Sequence, residues 1–464
     1  MFFEHVYDKT LAQASYVIGC QKTGESIVID AKRDIDTYLG IAERNGLNIT
    51  HIAETHIHAD FLAGSRELAE VTGAKMYLSD EGGPDWLYKF DHEGLRHGDM
   101  IKVGNLQIEV IHTPGHTPES ISFLLTDIPA TSQPVMLFTG DFVFVGDIGR
   151  PDLLEKAAGL VGTQLVGAEA MYRSLKKFSE LPQFIQLWPG HGAGSACGKS
   201  LGAVPSSTVG YELIRNWAFR FPNDKKGFVD YLLEGQPEPP KYFAMMKKLN
   251  KEDRPLLTEV PEHKKLSAAE FKTAYVKDVK IIDTRKKEVF AKGHLPNSIH
   301  IEGNNSFPTW AGWLIDYDED FILIANENMM DDLTRMLMRI GLDRVHGYIT
   351  DVEGLGISLE TTEIISFEEF KSHLGKGEVQ VLDVRGASEY REGHIEGAEN
   401  LFVGTLQDHL GKVSANKKKV IHCQSGARAA IAQSLLAKNG FKEVKVFTGG
   451  MQEWKHKSQP IVKG

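Results

Sequence analysis

Four short segments of the chain carry histidine or aspartate in a pattern that suits a metal ion. In Thr55-His56-Ile57-His58-Ala59-Asp60, alternate residues of an extended stretch share one face, so His56, His58 and Asp60 point the same way. Pro114-Gly115-His116, Gly140-Asp141 and Pro189-Gly190-His191 each set one donor beside a glycine at the end of a strand-like run. A lone His-x-His says little, whereas four such elements in order are specific. Imidazole and carboxylate donors together suit a first-row transition ion.

A second constellation lies near the other end. Val420-Ile-His-Cys423-Gln-Ser-Gly-Ala-Arg428 is an apolar strand, a loop of small residues (Gln424, Ser425, Gly426, Ala427) and then a helix. A cysteine at that junction faces the positive end of the helix dipole and a ring of backbone N–H groups, which favour an anionic sulfur. Arg428 adds a fixed cation for an anionic substrate. The chain has three cysteines. Cys197, in a small-residue loop after His191, is placed either to meet a substrate or to pack; Cys20 lies at a hairpin turn and is expected to be structural. Arg150, in Gly149-Arg-Pro-Asp152, has two readings as well. It pairs with an anionic substrate group, or with Asp152 to fix the loop.

The elements that must position these residues follow from patterning. Ser15–Gly19 and Ser26–Asp30 read as a hairpin, Asp34–Asn45 as a helix capped by Asp34, and Leu62–Val71 as a second helix. His51–Thr55, Leu106–His112, Ile121–Thr126, Val135–Phe138 and Phe184–Trp188 read as strands. The Pro-rich, charged stretch 236–262 reads as a linker. Beyond it Asp283-Thr-Arg285 with Gly293-His294 recurs 100 residues on as Asp383-Val-Arg385 with Gly393-His394. That spacing is too long for a solenoid and marks a duplicated small α/β domain with a parallel sheet. Only the second copy carries a cysteine.

A length of 464 residues predicts about three domains. The composition, 42% hydrophobic and 25% charged, excludes a disordered chain, a collagen or a coiled coil. A net charge of −11 argues against nucleic-acid binding. Few cysteines, no secretory-type leader and no long apolar run lead us to expect a soluble cytoplasmic protein that neither spans nor binds a membrane.

The ordered His and Asp elements resemble the metallo-β-lactamase fold over about residues 1–235. Within it, Thr55–Asp60, Pro114–Pro118, Thr139–Asp141 and Gly149–Asp152 are most similar to persulfide dioxygenases. That resemblance implies an αββα sandwich in which His56, His116 and Asp141 hold one Fe(II). It leaves His58, Asp60, Arg150, Asp152, His191 and Cys197 to orient these ligands or to touch substrate. The histidine that two-metal hydrolases of this fold require falls at Phe61, which favours one ion over two. The cysteine loop, with Asp383-Val-Arg385, Gly393-His394 and Phe447-Thr-Gly-Gly450, looks like a rhodanese sulfurtransferase over about 362–464. Four residues between Cys423 and Arg428 favour sulfur over phosphate. The copy at 263–358 is then a pseudo-rhodanese.

The whole resembles bacterial persulfide dioxygenase–sulfurtransferase fusions of sulfide detoxification: an α/β multidomain chain with a metallo-β-lactamase domain followed by two rhodanese-like domains. The implied partners are a low-molecular-weight thiol persulfide, O₂ and sulfite, and relatives of this kind are commonly dimers or tetramers. The competing readings are a zinc thioester hydrolase of the glyoxalase II kind and a non-catalytic sulfur relay.

Overall fold

The computed structural model describes residues 1–153, 155, 162–199, 201–374 and 379–464. The chain divides into two compact units, Met1–Pro261 with Met338–Gly341, and Glu262–Leu337 with Leu342–Gly464.

Unit 1 contains two six-stranded sheets. The first runs in the order Phe2–Asp8, Gln13–Gly19, Glu25–Ile29, Asn48–Ala53, Lys75–Ser79, Glu93–Leu95. The second runs Ser207–Thr208, Gln186–Pro189, Met136–Gly140, Ile121–Asp127, Leu106–His112, Met100–Val103. Tyr16, Ile18, Ile27 and Ile29 of the first form one buried cluster with Ile108, Val110, Phe123, Leu125 and Phe138 of the second. Each fully buried side chain of this size contributes about 1.5–3 kcal/mol of transfer free energy.

Helices cover both outer faces. Tyr38, Ile41, Ala42 and Leu68 pack on Val17, Val28 and Ile52, while Met171, Leu175 and Phe178 pack on Leu124, Leu137 and Leu187. Gln13–Gly19 is therefore buried along its whole length, as a strand covered on both faces must be. The architecture is the expected αββα sandwich.

Local differences from the sequence pattern have physical reasons. The helix Asp36–Arg44 begins without a side-chain cap, because Asp34 is committed to Lys32 at 3.0 Å. The second helix starts at Ser65 rather than Leu62, since Ala63 and Gly64 donate their N–H groups to Asn250 Oδ1 and the Ala31 carbonyl instead. The stretch read as a linker contains the helix Phe243–Lys251, whose Phe243, Met246 and Asn250 are buried in unit 1.

Unit 2 holds two parallel sheets with the same internal order. Ile299–His300, Lys280–Asp283, Phe321–Ile324 and Val345–Ile349 form one. Glu399–Asn400, Val379–Asp383, Lys418–His422, Val444–Phe447 and Glu363–Ile364 form the other. The structure thus renders the sequence repeat as a duplicated fold.

Candidate metal centre and cysteine loop

The metal-type residues of unit 1 sit just past strand ends. His56, His58 and Asp60 follow Asn48–Ala53, His116 lies between Leu106–His112 and Ile121–Asp127, Asp141 follows Met136–Gly140, and His191 follows Gln186–Pro189. One donor atom each from His56, His116 and Asp141 gathers within 4.8 Å. Asp141 Oδ2 lies 3.8 Å from His56 Nε2 and 3.5 Å from His116 Nε2. Gly140 makes this approach possible. Its φ is +49°, and a Cβ there would come within 2.3 Å of Thr55 Oγ1.

Hydrogen bonds set the tautomers so that both Nε2 lone pairs face inward. Thr55 Oγ1 donates to Asp30 Oδ2 at 2.9 Å and so accepts from His56 Nδ1–H at 3.0 Å. His116 Nδ1–H donates to the Arg150 carbonyl at 2.9 Å. Histidine ligands of metals are held in this way. His56 Nε2 and Asp141 Oδ2 are buried with no hydrogen-bond partner, a cost that a cation between them would remove. The donor set therefore fits a metal ion.

Around these three lies a charged frame. His191 Nδ1–H donates to Asp141 Oδ1 and Nε2–H to Asp60 Oδ2, each at 2.7 Å. Burial opposes a charge on His191, but the two carboxylates outweigh it and raise its pKa well above the usual value. Burial likewise disfavours the Asp141 carboxylate, yet the surrounding histidines hold its pKa far below the normal range. His58 lies outside the three-donor cluster. Its Nε2 is 3.2 Å from Asp30 Oδ1 and its ring packs on Phe61 at 4.3 Å. Despite burial, the Asp30 charge lifts its pKa to about 9.

Asp60, His191 and Cys197 also bring donor atoms together. Both His191 nitrogens are already engaged by carboxylates, so a second ion would have to break those bonds. Burial and the Asp141 and Asp60 charges push the Cys197 thiol up, which favours the neutral form. Arg150 is fully buried. Its guanidinium forks Asp152 at 2.7 and 2.6 Å and reaches the Ala196 carbonyl at 3.3 Å. Its cation is thus spent within the loop, on the second of the two sequence readings.

Two positioning residues have no local sequence signal. Asn250, from the helix Phe243–Lys251, donates to the carbonyls of His58 and Phe61 at 2.8 and 2.7 Å and accepts from Ala63 N at 2.8 Å. Glu119 accepts from Ile57 N at 2.8 Å and Thr117 Oγ1 at 2.9 Å, which ties the two histidine loops together. Burial lifts the Glu119 carboxyl to about 7.

In unit 2 the cysteine loop closes on itself. Cys423 is buried, and its Sγ accepts from Gly426 N at 3.1 Å. Gly426 has φ +91°, and a Cβ there would come within 2.8 Å of the Thr448 carbonyl. The helix Ala427–Lys438 begins there. The carbonyls of Cys423 and Gln424 accept from Met451 N and Gln452 N at 2.9 and 3.0 Å. Ser425 is exposed, and Ala427 half-buried. Arg428 forks Glu389, with Nη2 donating to Oε1 at 2.9 Å. Below the loop, Arg385 forks Asp383 and donates to the Gly393 carbonyl at 2.9 Å.

Comparison with known proteins agrees with both constructions. The metallo-beta-lactamase superfamily model matches residues 9–191, and the rhodanese-like domain model matches 267–354 and 366–457. A solved metallo-beta-lactamase from Staphylococcus aureus subsp. aureus COL is 46% identical, with a TM-score of 0.71 over 75% of this chain and 99% of that one. The chain belongs to the metallo-beta-lactamase superfamily. More particularly, it joins one domain of that fold to two rhodanese-like domains.

Among curated relatives, a hydroxyacylglutathione hydrolase of Nitrosococcus oceani is 38% identical over 137 residues, 29% of this chain and 49% of the relative. The mitochondrial persulfide dioxygenase ETHE1 of Bos taurus is 28% identical over 186 residues, 38% of this chain and 63% of the relative. The chain spans about half of the length of the first of these and less than two thirds of the second. Among the described residues no helix is long and apolar enough to cross a membrane.

Proposed function

We propose that unit 1 is a mononuclear non-heme Fe(II) persulfide dioxygenase and that Cys423 of unit 2 is a sulfurtransferase nucleophile. The overall reaction at the first site is RSSH + O₂ + H₂O → RSH + SO₃²⁻ + 2 H⁺. At the second, the Cys423 thiolate attacks the outer sulfur of another RSSH, forming Cys423–S–SH and releasing RS⁻. Sulfite then attacks that outer sulfur, and the electron pair of the broken S–S bond returns to Cys423. Thiosulfate and a proton leave.

The observation that carries the first half is the donor set. Two imidazoles and one carboxylate converge, two of their donor atoms are buried and unpartnered, and Phe61 stands where two-metal hydrolases of the fold place a ligand. Bound there, Fe(II) would supply open positions at which O₂ and a persulfide sulfur meet. The protein's own part is to fix the donors. Thr55 and the Arg150 carbonyl orient the two rings, His191 holds Asp141, and Asn250 and Glu119 hold the loops. Similarity to the bovine persulfide dioxygenase supports this reading.

Similarity to hydroxyacylglutathione hydrolases favours a second one, a zinc thioester hydrolase attached to a sulfurtransferase. Metal analysis with O₂ uptake on adding glutathione or coenzyme A persulfide separates the two. Iron and O₂ uptake are expected. Zinc alone with hydrolysis of S-lactoylglutathione and no O₂ uptake would overturn the dioxygenase.

A further inference from the structure

Strand register lays the two rhodanese-like copies over each other. Asp283 pairs with Ile324, and Asp383 pairs with His422, so Ala325 stands at the place of Cys423. Counting on from the shared aspartates places Val289 where the second copy has Glu389. Counting on from Ala325 places Met330 where it has Arg428. Counting back from Gly341, the match of Gly440 after the helix, gives Met329, again a methionine.

The scaffold beneath these positions is kept. In the first copy Arg285 forks Asp283 at 2.9 and 2.6 Å and donates to the Gly293 carbonyl at 2.9 Å, as Arg385 does in the second. His294 stacks on Phe290 at 3.9 Å, and His394 on Tyr390 at 3.8 Å. Cysteine, arginine and glutamate are therefore present together in one copy and absent together from the other. A pair that served only the scaffold would have the same use in both.

Both oxygens of Glu389 face the two terminal nitrogens of Arg428. A guanidinium offers this fork equally to a carboxylate and to any oxyanion with two oxygens on one side. The Arg428 side chain is 19% exposed and that of Glu389 37%, so the pair is partly open to solvent.

We infer that Glu389 is a specificity-determining residue for transfer at Cys423: it occupies the Arg428 fork that an oxyanion acceptor uses, and so sets how tightly such an acceptor is held. The inference rests on the sulfur-transfer reading of Cys423. Glu389 competes with sulfite for one cation, but it does not compete with a neutral thiol acceptor.

The test is Glu389→Gln in the full chain, with thiosulfate formation from glutathione persulfide and varied sulfite followed without O₂. KM for sulfite should fall about three- to tenfold, the scale of one half-exposed ion pair, and kcat should fall by a smaller factor. KM for dithiothreitol as the neutral acceptor should stay within twofold. A pair that mattered only for folding would not tighten sulfite binding. Glu389→Ser, which also removes the amide, should give the same direction. An unchanged or raised KM for sulfite in both variants overturns the inference, as does an equal fall for dithiothreitol. If the wild-type chain makes no thiosulfate from persulfide and sulfite, the reading of Cys423 fails first and this inference with it.

Discussion

The two rhodanese-like copies share a sheet order, an aspartate–arginine fork and a stacked histidine, and they part at the cysteine loop and at the position of Glu389. In the second copy the strand Lys418–His422 delivers Cys423 into a turn whose Gly426 N–H points at the sulfur. In the first, Phe321–Ile324 delivers Ala325 into the short 3₁₀ turn Glu327–Met329. What the copies share is what folds them, and what only one carries is the cysteine, arginine and glutamate to which we assign sulfur transfer. Function here occupies a few side chains set on an unchanged frame.

The largest effect tests whether the loss in the first copy is confined to its cysteine. In a Cys423→Ser background, Ala325→Cys should not restore thiosulfate formation, leaving activity at least about a thousandfold below wild type. The new thiol would have a methionine at the place of Arg428 and Val289 at the place of Glu389. Recovery of even a few per cent, measured by thiosulfate release, would mean that the frame alone is competent.

The shared fork gives the next largest effect. Asp383 and Arg385 are both buried, while the Arg285 side chain is 18% exposed. Asp383→Asn should cost about 3 kcal/mol in denaturant unfolding of unit 2, because it leaves a buried guanidinium without its charge partner. Asp283→Asn should cost less. A larger loss in the first copy would contradict the ranking by burial of the two forks.

A smaller effect extends the comparison to unit 1, where positioning residues also lie far from the chemistry. Asn250→Ala frees two carbonyls and one N–H of the loop that carries His58 and Asp60. The affinity for Co(II), followed by its visible absorption, should fall about tenfold. Unchanged affinity would show that the loop holds its shape without that helix.

Much of this was legible in the sequence, for a physical reason. His116 and Asp141 stand beside glycines at strand ends, His56 opens a His-x-His-x-Asp run after a strand, and Cys423 lies between an apolar strand and a helix, so short-range pattern is enough to mark them. The duplication follows from the 100-residue repeat, and the αββα order from the fold that the ordered His and Asp motifs resemble. Asn250 and Glu119 were not legible. They act across about 190 and 62 residues through hydrogen bonds that no local pattern records. Asn250 was also hidden in a stretch whose prolines and charges suggest a linker, although Phe243 and Met246 at helical spacing were a signal of burial. Glu389 had a signal too, since setting the repeats side by side exposes Val289 opposite it. For Arg150 the sequence left two partners open, and the fork to Asp152 shows where its charge goes.

The central claim is a division of labour, with persulfide oxidised at the metal centre and sulfur passed on at Cys423. Sulfite, thiosulfate and O₂ consumption measured together in the iron-loaded wild type and in Cys423→Ser test it directly. The account predicts thiosulfate from the wild type, and from the variant sulfite alone with O₂ consumption preserved. Thiosulfate from the variant, or a loss of O₂ consumption along with the thiol, would contradict it.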